Sequence, residues 1–212
     1  METLAAADLR DMLRAAAEDV IANEAVLSKA DQAIGDGDHG VGMTRGFGAA
    51  LAVLDREDGG QSPGSLLTAF GTAILTNAGG ASGAVFGTLF RGVGKALASE
   101  PVGLKALAAA FDEGARAVMV RGGAKPGDKT MLDALVPAVD ALKRAEATTP
   151  AEAFRMAAVA ARSGAEATAG MIANTGRAKM LGQRAVGFVD PGALTTTFVF
   201  EGMARCLNTT TS

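Results

Sequence analysis

"AIGDGDHGVG", residues 33–42, sets Asp36, Asp38 and the single histidine, His39, among four glycines. The flanks on both sides are apolar at helical spacing, so the segment reads as a joint between two helices. On its N-terminal side Leu9, Leu13, Ala16, Val20 and Leu27 share one face of a helix that Asp8 is expected to cap. On its C-terminal side Met43, Phe47, Ala50, Leu51 and Leu54 repeat the spacing. The pattern then recurs along the chain. Ser62-Pro63 reads as cap and first helical residue ahead of Leu66, Phe70 and Ile74. Further stripes run through Phe86 to Leu97, Leu104 to Val118 and Leu132 to Leu142. Thr149-Pro150-Ala151-Glu152 reads as a capping box, and Asp190-Pro191 as a cap ahead of Leu194, Phe198 and Leu207. Strand-like alternation is nowhere sustained, and the tail from Asn208 to Ser212 is expected to fray. The expectation is one all-α domain over residues 1–212, built from about eight helices.

Composition narrows the function classes. A chain of 212 residues buries roughly 70% of its unfolded surface, enough for a full core. A formal charge of −3 argues against a nucleic-acid phosphate binder. One cysteine, Cys206, forms no internal disulfide, which points to a reducing cytoplasmic compartment. Residues 1–14 are amphipathic and charged rather than signal-like, and no apolar run approaches the roughly 20 residues of a membrane span.

The joints between helices carry the chemistry. Four of them are rich in glycine and polar residues: "DQAIGDGDHGVG", "NAGGASGAVFG", "RGGAKPGDKTM" and "TGRAKMLGQRAVGFVDPG". An ordinary helix connection is shorter and needs one glycine at a C-cap. Four such joints predict one site built from loops at one end of a helical bundle. Asp31, Asp36 and Asp38 lie within eight residues and repel one another unless a cation joins them. Oxygen-only ligation suits Mg2+ or Ca2+ rather than zinc. An EF-hand is excluded, because the twelfth position from each aspartate is Gly42, Phe47 or Ala49 and never Glu. An acidic connection facing water is the plain alternative. In "GGASG", residues 79–83, glycines let a ligand approach the backbone, and Ser82 reads as the cap of a helix from about Ala84. Close packing of helices through small residues would account for it equally. Thr130 reads as a cap. Lys129 is a candidate to neutralise phosphate charge, and Arg177, Lys179 and Arg184 are candidate phosphate partners or parts of a solvated basic surface. Asp190 reads as a cap, a ribose contact or a metal-shell residue. Acids for a hard cation, glycine loops and Arg/Lys together describe a Mg-nucleotide phosphate site.

Four motifs carry a resemblance. "DQAIGDGDHGVGMTRGF", "GGASGAVFGTLF", "GGAKPGDKTMLDALVPA" and "GRAKMLGQRAVGFVDPGALTTTF" resemble, in order and spacing, the nucleotide-binding L subunits of dihydroxyacetone kinases, the DAK2 family, over residues 8–207. The resemblance implies a barrel of eight antiparallel helices that binds ADP or ATP with two Mg2+ at one end. It places the metal ligands on Asp31, Asp36 and Asp38. It places nucleotide contacts on His39, Gly40, Val41, Gly42, Ala81, Ser82, Gly122, Met131, Arg177, Asp190, Pro191 and Gly192, with Met131 against adenine. Gly42 stands where the family often has Asn, Gln183 where Glu is frequent, and Met180 where Tyr is common, the last read as a packing change. "GGAKPG" replaces the more usual "GKAEPG", so Gly123 and Lys125 alter local charge.

The implied activity is phosphate delivery to a ketose held by a separate K subunit, since nothing in this sequence resembles that subunit. The nucleotide is either exchangeable ATP or bound ADP recharged by a phosphotransferase-system phosphoprotein. A homodimer is compatible with the resemblance. Rival readings are a kinase for erythrulose or another small ketose, a fatty acid kinase-like ATP subunit, and a non-catalytic Mg-nucleotide sensor.

Overall fold

In the computed structural model, residues 3–56, 61–97, 101–145 and 148–209 are described. Nine α-helices occur among them: α1 (Ala6–Ala22), α2 (Glu24–Ile34), α3 (His39–Arg56), α4 (Pro63–Asn77), α5 (Gly80–Ala96), α6 (Leu104–Gly122), α7 (Leu132–Arg144), α8 (Pro150–Ala167) and α9 (Pro191–Thr209). Two 3-10 segments, Thr168–Gly170 and Arg177–Ala185, lie between α8 and α9. The only paired strands among the described residues are β1 (Thr3–Leu4) and β2 (Val102–Gly103), which are antiparallel. The expected frayed tail is in part ordered, because α9 continues through Asn208; residues 210–212 lie outside the described set.

Local chemistry sets the helix ends. The first stripe divides into α1 and α2 at Asn23, rather than running on through Leu27. There the amide Nδ2 donates to the Asp19 carbonyl at 2.8 Å, a side-chain bond that competes with continuation of the helix. Asp8 is not the cap of α1: it sits in the first turn, and its carboxylate accepts from the Ala5 N–H at 2.8 Å. Ser62 and Thr149 do cap α4 and α8, accepting from the N–H groups of Ser65 and Glu152. The capping box at Thr149 is half made, since the Glu152 carboxylate pairs with Arg155 at 2.9 and 2.6 Å instead of reaching back.

The expected eight-helix barrel emerges from neighbour relations. Around the ring α1 meets α3, then α4, α5, α6, α7, α8 and α9 follow in order, and α9 returns to α1. The ninth helix, α2, lies against α3 and α9 and closes one end. Apolar stripes on the ring helices converge on one large core. Phe47 has no exposed surface and meets the edges of Phe70, Phe86 and Phe90 at 6.0–6.2 Å. Phe111, Phe154 and Phe200 fill the opposite part. Such rings contribute dispersion and edge-to-face attraction beyond their buried area.

Between α4 and α5 the backbones themselves touch. A methyl group on Gly71 would lie 2.8 Å from the Gly87 carbonyl oxygen, and one on Gly94 would lie 2.6 Å from that of Gly64. A similar approach joins α7 to α8. Pro137 has no N–H to offer the carbonyl of Asp133, and Gly164 of α8 packs over that carbonyl, where a Cβ would lie 2.1 Å away.

Candidate functional site

The four glycine-rich joints meet at one end of the ring, around a cavity of about 460 Å³. The acidic wall comes from the end of α2. Asp31 occupies the last turn of that helix and is 7% exposed; its Oδ2 accepts from the His39 N–H at 3.2 Å. Burial pushes its carboxyl up, against the pull of the His39 and Gly37 N–H groups. Gly37, at φ +81°, then turns the chain so that Asp36 and Asp38 come back toward Asp31. The three carboxylates can each present an oxygen within 4.8 Å of the other two. A side chain at Gly35 would fill this cradle, since its Cβ would fall 2.2 Å from Asp31 Oδ1.

A cation already faces the acids. Arg177, which follows Gly176 at φ +64°, donates through Nη1 to Asp36 Oδ1 and, at 3.3 Å, to Asp38 Oδ1. Desolvation works against the Asp36 charge, yet hydrogen bonds from Asp38 and the Arg177 charge outweigh it and hold that carboxyl below its usual range. Three oxygen donors of hard character, close enough to share one cation and balanced here by a guanidinium, fit Mg2+.

The second wall is the start of α5. Gly79 and Gly80, at φ +76° and +61°, bring the backbone to the cavity mouth, with Ala81 and Ser82 in the first helical turn. Ser82 is therefore not the cap of a helix at Ala84: α5 begins at Gly80, and Ser82 Oγ lies 3.0 Å from His39 Nδ1. His39 Nε2 lies 2.8 Å from Thr195 Oγ1, whose hydroxyl donates to the Pro191 carbonyl at 3.1 Å. That polarity makes Nε2 the protonated nitrogen and leaves Nδ1 to accept from Ser82. Burial drives the ring's pKa down to about 4, so the imidazole is neutral.

Arg45, which no sequence pattern singles out, reaches from α3 to the end of α4. Its Nε donates to the Asn77 carbonyl at 2.8 Å and its Nη2 to that of Ala78 at 2.7 Å.

Val41, Gly42, Gly122, Met131, Pro191 and Gly192 line the cavity with the groups above. Met131 is buried, with Val85, Phe86 and Val118 along the same apolar side. Gly40 instead packs against α2, where a Cβ would meet the Glu24 carbonyl at 2.3 Å. Asp190 caps α9 by accepting from the Ala193 N–H at 2.8 Å, and burial raises its pKa to about 7.

Four sequence readings change. Lys129 is no free phosphate partner: it is 2% exposed, and its Nζ donates at 2.6 Å to the carbonyls of Thr168 and Phe188. Lys179 and Arg184 are exposed and lie outside the cavity lining, because the 3-10 turns point only Arg177 at the acids. Thr130 Oγ1 accepts from the Leu132 N–H at 3.2 Å, but the Asp133 carboxylate secures the start of α7, accepting from the N–H groups of Thr130 and Gly127. Met180 is 85% exposed and packs no core.

Residues 33–205 match the DAK2 domain family. The chain belongs to that family. This DAK2 chain is 38% identical over 185 residues to the ADP-binding subunit DhaL of a PEP-dependent dihydroxyacetone kinase from Escherichia coli, covering 84% of this chain and 86% of the relative. It is 41% identical over 191 residues to an L-erythrulose 1-kinase of Mycolicibacterium smegmatis, covering 87% of this chain and 33% of the relative. The dihydroxyacetone kinase from C. freundii, solved in complex with AMP-PNP and Mg2+, superposes with a TM-score of 0.73 at 26% identity, covering 97% of this chain and 35% of that one. The DAK2 chain thus spans most of the DhaL subunit and about a third of the two longer kinases. Among the described residues no helix is long and apolar enough to cross a membrane.

Proposed function

We propose that this chain is the nucleotide-binding phosphotransfer subunit of a small-ketose kinase, passing phosphate to dihydroxyacetone or erythrulose held by a separate K subunit. The observation that carries this reading is the convergence of Asp31, Asp38 and Arg177 with the glycine-led start of α5 on one cavity, with Asp36 joined to them at its edge through the acidic cluster and Arg177. In this reading Asp31, Asp36 and Asp38 hold two Mg2+, which when bound supply charge neutralisation at phosphate oxygens. The residues of the chain do the rest. The first turns of α3 and α5 offer N–H groups that have no intrahelical acceptor, which suits phosphate. His39, neutral and bonded on both ring nitrogens, fixes Ser82 and α9 relative to each other without adding charge. Met131 and Val85 give the nucleobase an apolar surface. Arg177 turns from the carboxylates to the transferring phosphate. Asp190, Pro191 and Gly192 border the same space.

His39 is the chain's one histidine and it is held on both ring nitrogens, so in this reading the acceptor hydroxyl is positioned by the partner. Positioning of that kind contributes several kcal/mol to a phosphoryl transfer. The donor is either exchangeable ATP or bound ADP recharged by a phosphoprotein.

A coupled assay tests the reading. The chain alone, a K subunit alone and the two together are each supplied with ATP or a phosphoprotein donor, and with dihydroxyacetone or erythrulose. Turnover is expected only from the pair. Full turnover by the chain alone would overturn the division of labour, and Mg-ADP binding with no transfer to any K subunit would favour a sensor.

A further inference from the structure

The buried ammonium of Lys129 has no place in the phosphate chemistry above, and its surroundings assign it another task. Residues 171–189 form the long connection that presents Arg177 to the acids. The connection has little core of its own. Ala173, Ala178 and Ala185 pack with Ile34 in a small cluster apart from the main core. Its two ends are drawn together at one place. The Gly187 N–H donates to the Ala169 carbonyl at 2.8 Å, and the Asp190 N–H to Thr168 Oγ1 at 2.9 Å. Lys129 Nζ bridges the same two ends, bonding the carbonyls of Thr168 and Phe188.

The preceding residue holds the connection near its start, three residues before Arg177. Asn174 donates its backbone N–H to the Asp128 carbonyl at 3.2 Å and its Nδ2 to Asp128 Oδ1 at 3.1 Å. Asp128 is in turn fixed, its Oδ2 accepting from the Lys125 N–H at 2.9 Å. Lys129 is the one non-glycine residue with positive φ among the described residues, at +61°. That conformation is disfavoured for a side chain with a Cβ and persists where the surroundings over-determine it.

We infer that the Asp128–Lys129 corner is a positioning element for Arg177: it clamps the two ends of the 171–189 connection and its first stretch, three residues before Arg177, so that the guanidinium is presented to the nucleotide and metal end of the cavity. The inference rests on the proposed Mg-nucleotide site for its consequence, but not for the clamp itself. Lys129 borders the same cavity, but its ammonium is held by the carbonyls of Thr168 and Phe188 rather than by the three acids, so it acts on Arg177 through the main chain. Removing its ammonium leaves the Phe188 carbonyl without that donor and the Thr168 carbonyl with only the Met171 N–H at 3.1 Å, and unties the two ends of the connection from each other.

Two measurements on the full chain decide the matter. The first uses trypsin without nucleotide, because Arg177, Lys179 and Arg184 all lie in the connection. Lys129→Met is expected to speed cleavage there about tenfold or more, since cleavage follows the population of the open segment. Cleavage at the native rate would overturn the clamp. The second is a double-mutant cycle on Mg-ADP affinity. Arg177→Ala should weaken binding severalfold in the native chain and change it less than about twofold in the Lys129→Met background, because the two residues act as a unit. Fully additive losses would overturn the positioning role. Where Lys129→Met does not fold, Asn174→Ala, at an exposed position bonded to Asp128, carries both measurements with the same expected signs. A native chain that shows the protected connection but binds no Mg-ADP would refute the nucleotide site while leaving the clamp standing.

Discussion

The α4–α5 hairpin and the 171–189 connection border the same cavity and are held by different forces. The hairpin is part of the main core: Phe70, Phe86 and Phe90 are fully buried and its backbones touch through glycines. The connection has one small alanine cluster, an arginine laid on two exposed aspartates, and a buried lysine at its root. Hydrophobic burial is insensitive to ligand and salt, whereas a solvent-facing ion pair is worth about 1 kcal/mol or less and is screened. One wall of the site is thus set by folding, and the other is balanced by charges that a ligand also seeks.

The sharpest way to break this contrast is Phe47→Ala, which empties the centre of the first aromatic cluster. It should cost about 3–5 kcal/mol in urea unfolding and leave Mg-ADP affinity in the surviving folded chain near the native value. A parallel collapse of affinity would show that the core and the site are not separable.

His39 comes next, because it ties α3 to both α5 and α9. Its ring takes a proton near pH 6.5 when unfolded and near 4 when folded. Between those values the unfolded state binds more protons, so this contribution to stability is lost as pH falls through the window. The full effect is on the order of 3 kcal/mol. The stability difference between the native chain and His39→Gln should shrink from pH 7 to pH 4; a difference independent of pH would contradict the buried neutral imidazole.

The third test concerns the charged wall. Mg-ADP at about 100 times its dissociation constant should stabilise the chain by roughly 2.7 kcal/mol, reversibly with EDTA. Asp36→Ala should abolish that gain. It should change the ligand-free melting by only about 0.5 kcal/mol, since the side chain is 45% exposed. An undiminished gain would remove Asp36 from the metal set. The smallest effect belongs to a helix end far from the cavity: Thr149→Ala should cost about 1 kcal/mol and leave Mg-ADP affinity unchanged by calorimetry.

What the sequence made legible was local. The stripes of α3 to α9, the caps at Ser62 and Thr149, and the closeness of Asp31, Asp36 and Asp38 all follow from residues within a few positions of one another. Recognition of the four motifs supplied the barrel and its end. Long-range partners were invisible. The Thr195 bond to His39 spans 156 positions, and Arg45 looks like any exposed helix arginine until α4 ends beneath it. Lys129 reads as a phosphate-neutralising cation because its φ of +61° and its bonds to the distant Thr168 and Phe188 carbonyls have no sequence signal in a lysine. Asp8 and Ser82 were misplaced by a few residues, because both suit a first turn as well as a cap.

The glycine seam between α4 and α5 has a mechanical consequence. Helices separated by side chains can slide as rotamers change, but carbonyl packed against Cα leaves no soft layer to shear. The hairpin therefore acts as a stiff beam, and the turn at Gly79–Gly80, braced from α3 by Arg45, is its tip. The softer side lies across the cavity, where the Arg177 connection hangs from its lysine root. Of the two jaws around the cavity, the beam is the anvil.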